Sequence, residues 1–484
     1  MIRNLFTKKT IPDLLREAEA SPHKLKRHLG TLQLVIMGIG AIVGAGIFVM
    51  TGEVASQYTG PGLLISFVIA AIVCIFAALC YAEFASLIPI SGSAYSYAYA
   101  TMGELMAWVI GWTILAEFLF SAATVGVGWS GYFTSFLSDC GIVFPKFLSK
   151  APIAHNPATG WISTGAWFDL PAMLIVLLVG SLVAIGIKAA ASVNNILVVI
   201  KIGIIILFIV CGFAFVKAEN LIPFVPANTG VFGQYGWSGV FRGASVIFFA
   251  YLGFDMLSTL GQEAKKPQRD LPVGMIGSLL ISTIIYIFIG VVLLGVVSYL
   301  KLNVADPLAV AVNAYGPNFI WLRFVLKISI VIGLISVVLV QILASSRVLL
   351  TMSNDGLIPK VFGAIHSKYA TPLFSTWMVA LFCACIAGVF PVGILGQLTA
   401  MGALLAFAIV CLGILILRYT NPKLERPFKV PFVPWIPLLG GVACIFQMVV
   451  MPAITWVQLT IWMVVGAFIY FGYGIRRSKM RARK

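Results

Sequence analysis

Charge is what this chain has least of. Of its 484 residues 10% are Asp, Glu, Lys or Arg, only 16 are acidic, and 61% are apolar. A water-soluble domain of that length needs far more polar surface than this, so a soluble globular fold is excluded. Histidine is scarce as well: His23, His28, His155 and His366 all fall in terminal or connecting stretches. With no histidine inside an apolar run, and no cluster of Asp, Glu and His, neither a metal centre nor an intramembrane nucleophile and base is indicated. The reading is therefore not an enzyme and carries no cofactor. The cysteines lack the spacing of a disulfide framework. Cys74, Cys80, Cys211, Cys383, Cys385, Cys411 and Cys444 lie in apolar runs, where a thiol acts as a small hydrophobe, and only Cys140 lies near a loop. Also missing are a signal-peptide pattern at the start and any polar insert long enough for a soluble domain; AHNPATG and PANTG read as ordinary loops.

What fills the chain instead is apolar runs long enough to cross a bilayer, about 20 residues each. Twelve are expected, at 31–52, 61–82, 105–135, 168–187, 193–217, 238–260, 272–299, 322–352, 372–391, 394–417, 432–450 and 453–474. The chain is thus predicted to be an all-α integral membrane protein with twelve transmembrane helices. Its formal net charge of +16 invites a nucleic-acid reading, but position decides otherwise. With the N-terminus inside, 24 of the 32 Lys and Arg fall on the inner side, seven on the outer, and Lys201 within a span. That bias places both termini in the cytoplasm of a multi-pass cell-membrane protein. It also makes anionic lipid, not nucleic acid, the expected partner of the basic tail. The organisation follows: a cytoplasmic arm at 1–30 with an interfacial helix over TIPDLLREAEASPHKLKRHL, five-span blocks at 31–217 and 238–417, peripheral helices at 432–474, and the tail at 475–484.

Each five-span block opens on a span interrupted by glycine. GIGAIVGAGIF at 38–48 and FFAYLGFD at 248–255 break otherwise helical runs at corresponding places, the mark of a five-plus-five inverted repeat with broken helices 1 and 6 around a central site. Gly44, Ala45 and Gly46 offer free amides that suit a carboxylate, although Gly40-x-x-x-Gly44 also fits a helix-packing face. The carbonyls of Phe249, Ala250 and Leu252 suit an ammonium. Both together describe an α-amino acid. Ionisable residues inside spans are costly and hence informative. Glu117 lies on a face with Thr113, Ser121, Thr124 and Gly128, Lys201 sits in VVIKIGII, and Asp255 follows the second break; buried ion pairing or snorkelling is the alternative for each. Glu83, Lys188, Lys327 and Arg347 lie near span ends and are expected to be anchors.

Longer stretches carry a resemblance. YAEFASLIPISGSAYSYAYATMGELMAWVIGW at 81–112, FFAYLGFDMLSTLGQEAKKPQRDLPVGMIGSL at 248–279, RVLLTMSNDGLIPKVF at 347–362 and KVPFVPWIP at 429–437 resemble the cationic amino acid transporter family of the amino acid, polyamine and organocation superfamily. The resemblance implies L-amino acid transport by alternating access. It assigns Ile42, Ala45 and Gly46, with Phe249, Ala250 and Leu252, to the substrate backbone, and Phe249 to an aromatic gate. It sets Lys201 where sodium-coupled relatives bind their ion, so coupling to protons, or none, is expected in place of sodium, with Glu117 and Asp255 as the candidate carriers and Glu117 alternatively pairing with the side chain of a bound lysine, arginine or ornithine. It also leaves room for a small single-span accessory subunit. Gln262 stands where the first acid of a Gly-Glu-Glu motif is expected, and Gln341 at a position expected to line the side-chain pocket. These departures leave cationic or broad-range substrates, with a polyamine or neutral amino acid exchanger, or a non-transporting sensor, as the alternatives.

Overall fold

The computed structural model describes residues 7–19, 29–90, 93–156, 160–186, 190–261, 263–369 and 371–482. Gln262, Lys188, His23 and His28 lie outside these residues, as do the last two of the basic tail. Backbone N–H and C=O groups in hydrocarbon must bond internally, which leaves helices as the way for single segments to cross. The chain complies. After α1 (Ile11–Glu19) come α2 (Thr31–Ile42), the short α3 (Thr51–Val54), α4 (Leu63–Leu87), α5 (Ser93–Thr101) and α6 (Glu104–Asp139). Next are α7 (Leu170–Ile185), α8 (Ala190–Phe213), α9 (Gly236–Ile247), α10 (Pro267–Val296) and α11 (Pro307–Asn313). The run ends with α12 (Ile320–Asn354), α13 (Leu373–Val389), α14 (Val392–Thr420), α15 (Trp435–Val450) and α16 (Ala453–Ile469).

Among the described residues seven helical stretches are long and apolar enough to cross a membrane: 46–87, 104–139, 236–260, 267–296, 317–354, 392–420 and 453–481. Shorter apolar helices cover 31–42, 170–185, 197–213, 373–389 and 435–450. Every apolar run expected from the sequence therefore falls on helix. Those at 31–42, 170–185, 373–389 and 435–450 are 12 to 17 residues long and rise at most about 26 Å, against a core of about 30 Å.

The centre of the bundle is α6, which packs against α12, α14, α13 and α7. Small and hydroxylated residues let it be surrounded: Thr113, Ser121, Thr124 and Ser130 are all buried. Helices that would hold equal rank in the two expected five-span blocks meet in pairs, α4 with α10, α6 with α12 and α7 with α13. On the outside, α16 turns Val457, Ile461, Val464, Val465 and Phe468 outward, an apolar face for lipid. Its inner face is tied to α6 by two indoles. Trp112 and Trp462 stack with ring centroids 4.6 Å apart, and each Nε1–H donates to the other residue's carbonyl, at 2.8 and 2.9 Å.

Three expectations change. The stretch around AHNPATG is not a plain loop: β1 (Ile153–Asn156) and β2 (Gly160–Ser163) pair antiparallel, with Gly160 at φ +76° at the start of β2. In the arm only 11–19 is helical among the described residues, and it is docked on protein. Leu14 is buried, Lys9 Nζ meets Asp355 at 2.7 Å, and the Glu104 amide donates to Thr7. Glu83 and Lys327 are buried ion-pair centres, not anchors. Glu83 receives Arg418 at 2.7 Å and Arg426 at 3.1 Å, and the Val430 amide donates to it as well. Lys327 meets Asp139 at 2.7 Å and Asp306 at 3.3 Å. The reason is burial: a charge this close to the span interior needs a partner when no headgroup is in reach.

Glu83 holds α4 to the end of α14 and the segment after it, so Glu83→Ala leaves Arg426, which is nearly fully buried, without its counter-charge. A loss of about 3–5 kcal/mol is expected, read as a lowered melting temperature of the purified protein in detergent. A melting temperature equal to wild type would show that the pair contributes nothing to stability.

Candidate functional site

The first break follows from GAIVGAG. α2 ends at Ile42, and Val43 leaves helical geometry (φ −76°, ψ 93°) while its amide still bonds Ile39 at 2.8 Å. Helical winding resumes at Gly46 as a wide turn over Gly46–Met50. Between the two, the amides of Gly44, Ala45, Gly46 and Ile47 donate to no backbone carbonyl among the described residues. These are the orphan donors at the start of a half-helix, where the dipole also favours an anion.

The second break mirrors it. α9 ends at Ile247 and tightens into a 3₁₀ turn over Phe248–Tyr251. Leu252 is extended (φ −66°, ψ 142°), Gly253 stands at φ +124°, and a second tight turn begins at Asp255. The Leu252 carbonyl receives no hydrogen bond among the described residues. Gly253 is required twice over. L side chains rarely adopt its backbone conformation, and a Cβ there would lie 2.7 Å from the carbonyl carbon of Ala41.

The breaks interlock by reciprocal contacts. Gly253 sits on Ala41 of the first broken helix, and Gly46 sits on Ala250 of the second, where a Cβ would lie 2.3 Å from Cα. Gly46 is therefore closed on its Cα side, whereas a Cβ on Gly44 would make only ordinary contacts, the nearest with Val337 at 3.6 Å. The helix-packing reading holds for Gly40, whose absent Cβ admits Val198 of α8. Ile42, Ala45, Phe249, Ala250 and Leu252 are all buried at this junction.

Two polar side chains fasten it. Tyr286 of α10 places its hydroxyl 2.9 Å from the Ile42 carbonyl and 2.8 Å from the Ala250 carbonyl, the last turns before the two breaks. Its ring is held by Phe67 and Tyr251. Lys201, 1% exposed, donates to the carbonyls of Gly40 and Val43 at 3.1 Å each and to Ser336 Oγ at 3.4 Å. Carbonyls that a broken helix frees are thus already served by a fixed ammonium.

The other expected residues divide. Asp255 accepts from the Gly253 amide at 3.1 Å and caps the break locally. Glu117 is buried and its Oε2 has no hydrogen-bond partner among the described residues. Gln341 Nε2 donates to Ser121 Oγ at 3.0 Å, tying α12 to α6, while its Oε1 is buried and unpartnered. A cavity of about 570 Å³ runs from Gly40, Ala41 and Gly253 past Ile114, Phe118, Val337 and Gln341 to Arg347, Thr351 and the exposed Ile365. Glu117 lies behind this wall, on α6 between Ile114 and Phe118. Away from the cavity mouth, the resumed half of the first helix is latched to α6 by Tyr132, which donates to the Phe48 carbonyl at 2.8 Å.

Tyr286 and Ser336 were missed by sequence reasoning. The available signal was a lone tyrosine in the middle of SLLISTIIYIFIG, since a hydroxyl in hydrocarbon needs a partner.

The model of the family described as amino acid permease matches residues 29–474. The chain belongs to that family. The permease is 41% identical over 478 residues to a branched-chain amino acid permease of Bacillus subtilis, which covers 99% of each chain. It is 40% identical over 475 residues to a methylthioribose transporter of the same organism, covering 98% of this chain and 99% of that one. It is 32% identical over 421 residues to a vacuolar cationic amino acid transporter of Arabidopsis thaliana, covering 87% of this chain and 68% of that one. A multi-pass membrane transporter of amino acids follows from this membership and from the apolar helices.

The unequal surroundings of the two glycines make a paired prediction. Gly46→Ala drives a methyl into Ala250 and is expected to abolish ligand binding and lower the melting temperature. Gly44→Ala leaves folding intact and costs at most about tenfold in affinity, about 1.4 kcal/mol. Thermal shift and binding on both purified variants check this; equal behaviour of the two would contradict the interlock. Tyr286→Phe removes the hydroxyl between the breaks and keeps the ring. It is expected to cost about 1–3 kcal/mol of stability, because two buried carbonyls lose a donor, again measured by melting.

Proposed function

We propose that this permease is a sodium-independent, proton-linked carrier of L-amino acids with uncharged side chains, working by alternating access across the cell membrane. Its fold is read as twelve spans, two inverted five-helix blocks followed by two peripheral helices, with both termini cytoplasmic. The pairing of equal-ranked helices and the reciprocal contacts of the breaks support the repeat. The observation that carries the function is the junction itself: among the described residues, four amides without backbone acceptors on one broken helix, and on the other, packed against it, a Leu252 carbonyl that receives no hydrogen bond. Such a site takes a carboxylate and an ammonium on one carbon. A polyamine would leave the amides unused, which argues against that alternative.

For the side chain, the cavity walls are the guide. They are apolar apart from Gln341, a few hydroxyls and the charged pair of residues Glu263 and Arg347, and Glu117 does not line them. Glu263 and Arg347, the charged residues of the lining, together offer a cationic substrate no net negative charge, whereas an apolar side chain fits Ile114, Phe118 and Val337. The name of the Bacillus branched-chain permease agrees with this, and that of the plant relative supports the cationic alternative. Lys201 supports sodium independence, because its ammonium occupies the oxygens a cation would need. Glu117, a shielded carboxyl group with a free oxygen, is the proton carrier, exchanging its proton as water gains and loses access.

The test is uptake of labelled leucine into proteoliposomes. Uptake is expected to persist when choline replaces sodium, to collapse when a protonophore removes the inward proton gradient, and to be competed by valine and isoleucine more strongly than by arginine or putrescine. Loss of uptake in choline would overturn the Lys201 assignment, and stronger competition by arginine would return the substrate to the cationic class. Glu117→Gln is expected to lose gradient-driven uptake at least about tenfold while retaining leucine exchange between preloaded vesicles and medium, which also separates a carrier from a sensor. Unchanged gradient-driven uptake by this variant would remove Glu117 from coupling.

A further inference from the structure

A second cavity, of about 490 Å³, lies off the transport path at the face that carries α1 and α5. The end of α12, the turn Lys360–Gly363 and the chain just beyond α16 form its walls. Lys360, Arg477 and Lys479 converge there beside Ser353, Asn354 and Tyr473, and no carboxylate lines it. Among the described residues none of the three cations has an ion-pair partner. The neighbouring acid, Asp355, is engaged elsewhere, by Lys9 Nζ at 2.7 Å and by the Tyr95 hydroxyl at 2.7 Å.

The cations are not carried on a loose tail. The Lys479 amide donates to the Asp355 carbonyl at 3.1 Å. Gly356 lets the Arg477 backbone approach so closely that a Cβ there would collide with its carbonyl oxygen. Ser478 and Arg481 are held by the buried carboxylate of Glu104, the latter at 3.1 Å. Like charges pinned together repel, and an anion is what relieves them. Position selects the anion. Phe468 and Phe471 are exposed on the lipid-facing side of the last helix, and at 1.5 Å per residue Arg477 stands about 9 Å beyond Phe471, at headgroup depth.

We propose that this cavity binds the phosphate of an anionic phospholipid headgroup from the leaflet that α16 reaches. Arg477 supplies the forked guanidinium that suits phosphate oxygens, and Lys360 and Lys479 add point charges. The cavity size is that of a small-molecule site, with room for the glycerol beyond the phosphate. The proposal needs only that the chain is embedded in a bilayer and is independent of which amino acid is carried.

The test uses the full-length permease, purified from a mixture of phosphatidylcholine and phosphatidylglycerol, with retained lipid measured by native mass spectrometry. Wild type is expected to keep phosphatidylglycerol selectively. Lys360→Gln, Arg477→Gln and Lys479→Gln should each weaken retention roughly fivefold, the factor a basic residue contributes near a charged membrane surface. Arg476→Gln, exposed on the same segment but outside the cavity, should leave it unchanged. Equal loss in Arg476→Gln and Arg477→Gln would reduce the cavity to diffuse attraction by a basic tail and overturn the proposal, as would undiminished retention in the three cavity variants. Displacement of the lipid by inorganic phosphate would assign the site to a soluble anion and overturn the lipid source. The melting temperature of each variant in pure phosphatidylcholine controls for folding, and the single substitutions keep the measurement available where a combined variant does not fold.

Discussion

A helix interrupted inside a bilayer exposes peptide groups to a medium that cannot solvate them, and this permease interrupts two. The solution is to set the breaks against each other. Ala41 lies on Gly253 and Ala250 on Gly46, while one tyrosine hydroxyl and one lysine ammonium serve carbonyls on the last turns before them. What stays unserved among the described residues is a short row of amides and the Leu252 carbonyl, and those are groups that a zwitterion matches. In the proposed reading, binding site and structural defect are the same object, seen from two sides.

Charge is distributed by the same economy. Toward the ends of the helices acids and bases are paired in compact sets: Glu83 with Arg418 and Arg426, Lys327 with Asp139 and Asp306, Glu104 with Arg481. These sets join the end of one helix to the end of another distant in sequence and resist separation because a lone buried charge is costly. Nearer the middle the pattern reverses. Among the described residues Glu117 carries an oxygen without a partner, and Lys201 bonds only neutral oxygens. Rigid ends and an incompletely satisfied middle are what a molecule needs if its centre is to respond to protons and substrate while its helices hold register.

Much of this was legible in the sequence, and the reasons are particular. The breaks announced themselves because Gly44, Gly46 and Gly253 interrupt apolar runs that propensity would otherwise continue, and Glu117, Lys201 and Asp255 stood out because charge is so rare here. The membrane character followed from composition alone. Tyr286 was not legible as a fastener, since nothing local says that residue 286 reaches both 42 and 250. Nor could spacing separate Gly44, which has room, from Gly46, which is closed by a residue some two hundred positions away. Glu83 read as an anchor for the same reason: its two arginines are brought to it only when α14 folds back. Local pattern records which residues are odd, and tertiary packing decides what each oddity meets.

The two indoles that join α6 to α16 have a mechanical meaning. Trp112 and Trp462 each cap the other's backbone while their rings lie flat together, so sliding one helix along the other by even a fraction of a turn breaks both bonds and unstacks the pair. A lipid-facing helix fastened in this way is no passenger. It extends α6 sideways into the membrane and gives that helix a wider footing against which neighbours can tilt, as the keel of a boat steadies the hull without moving relative to it.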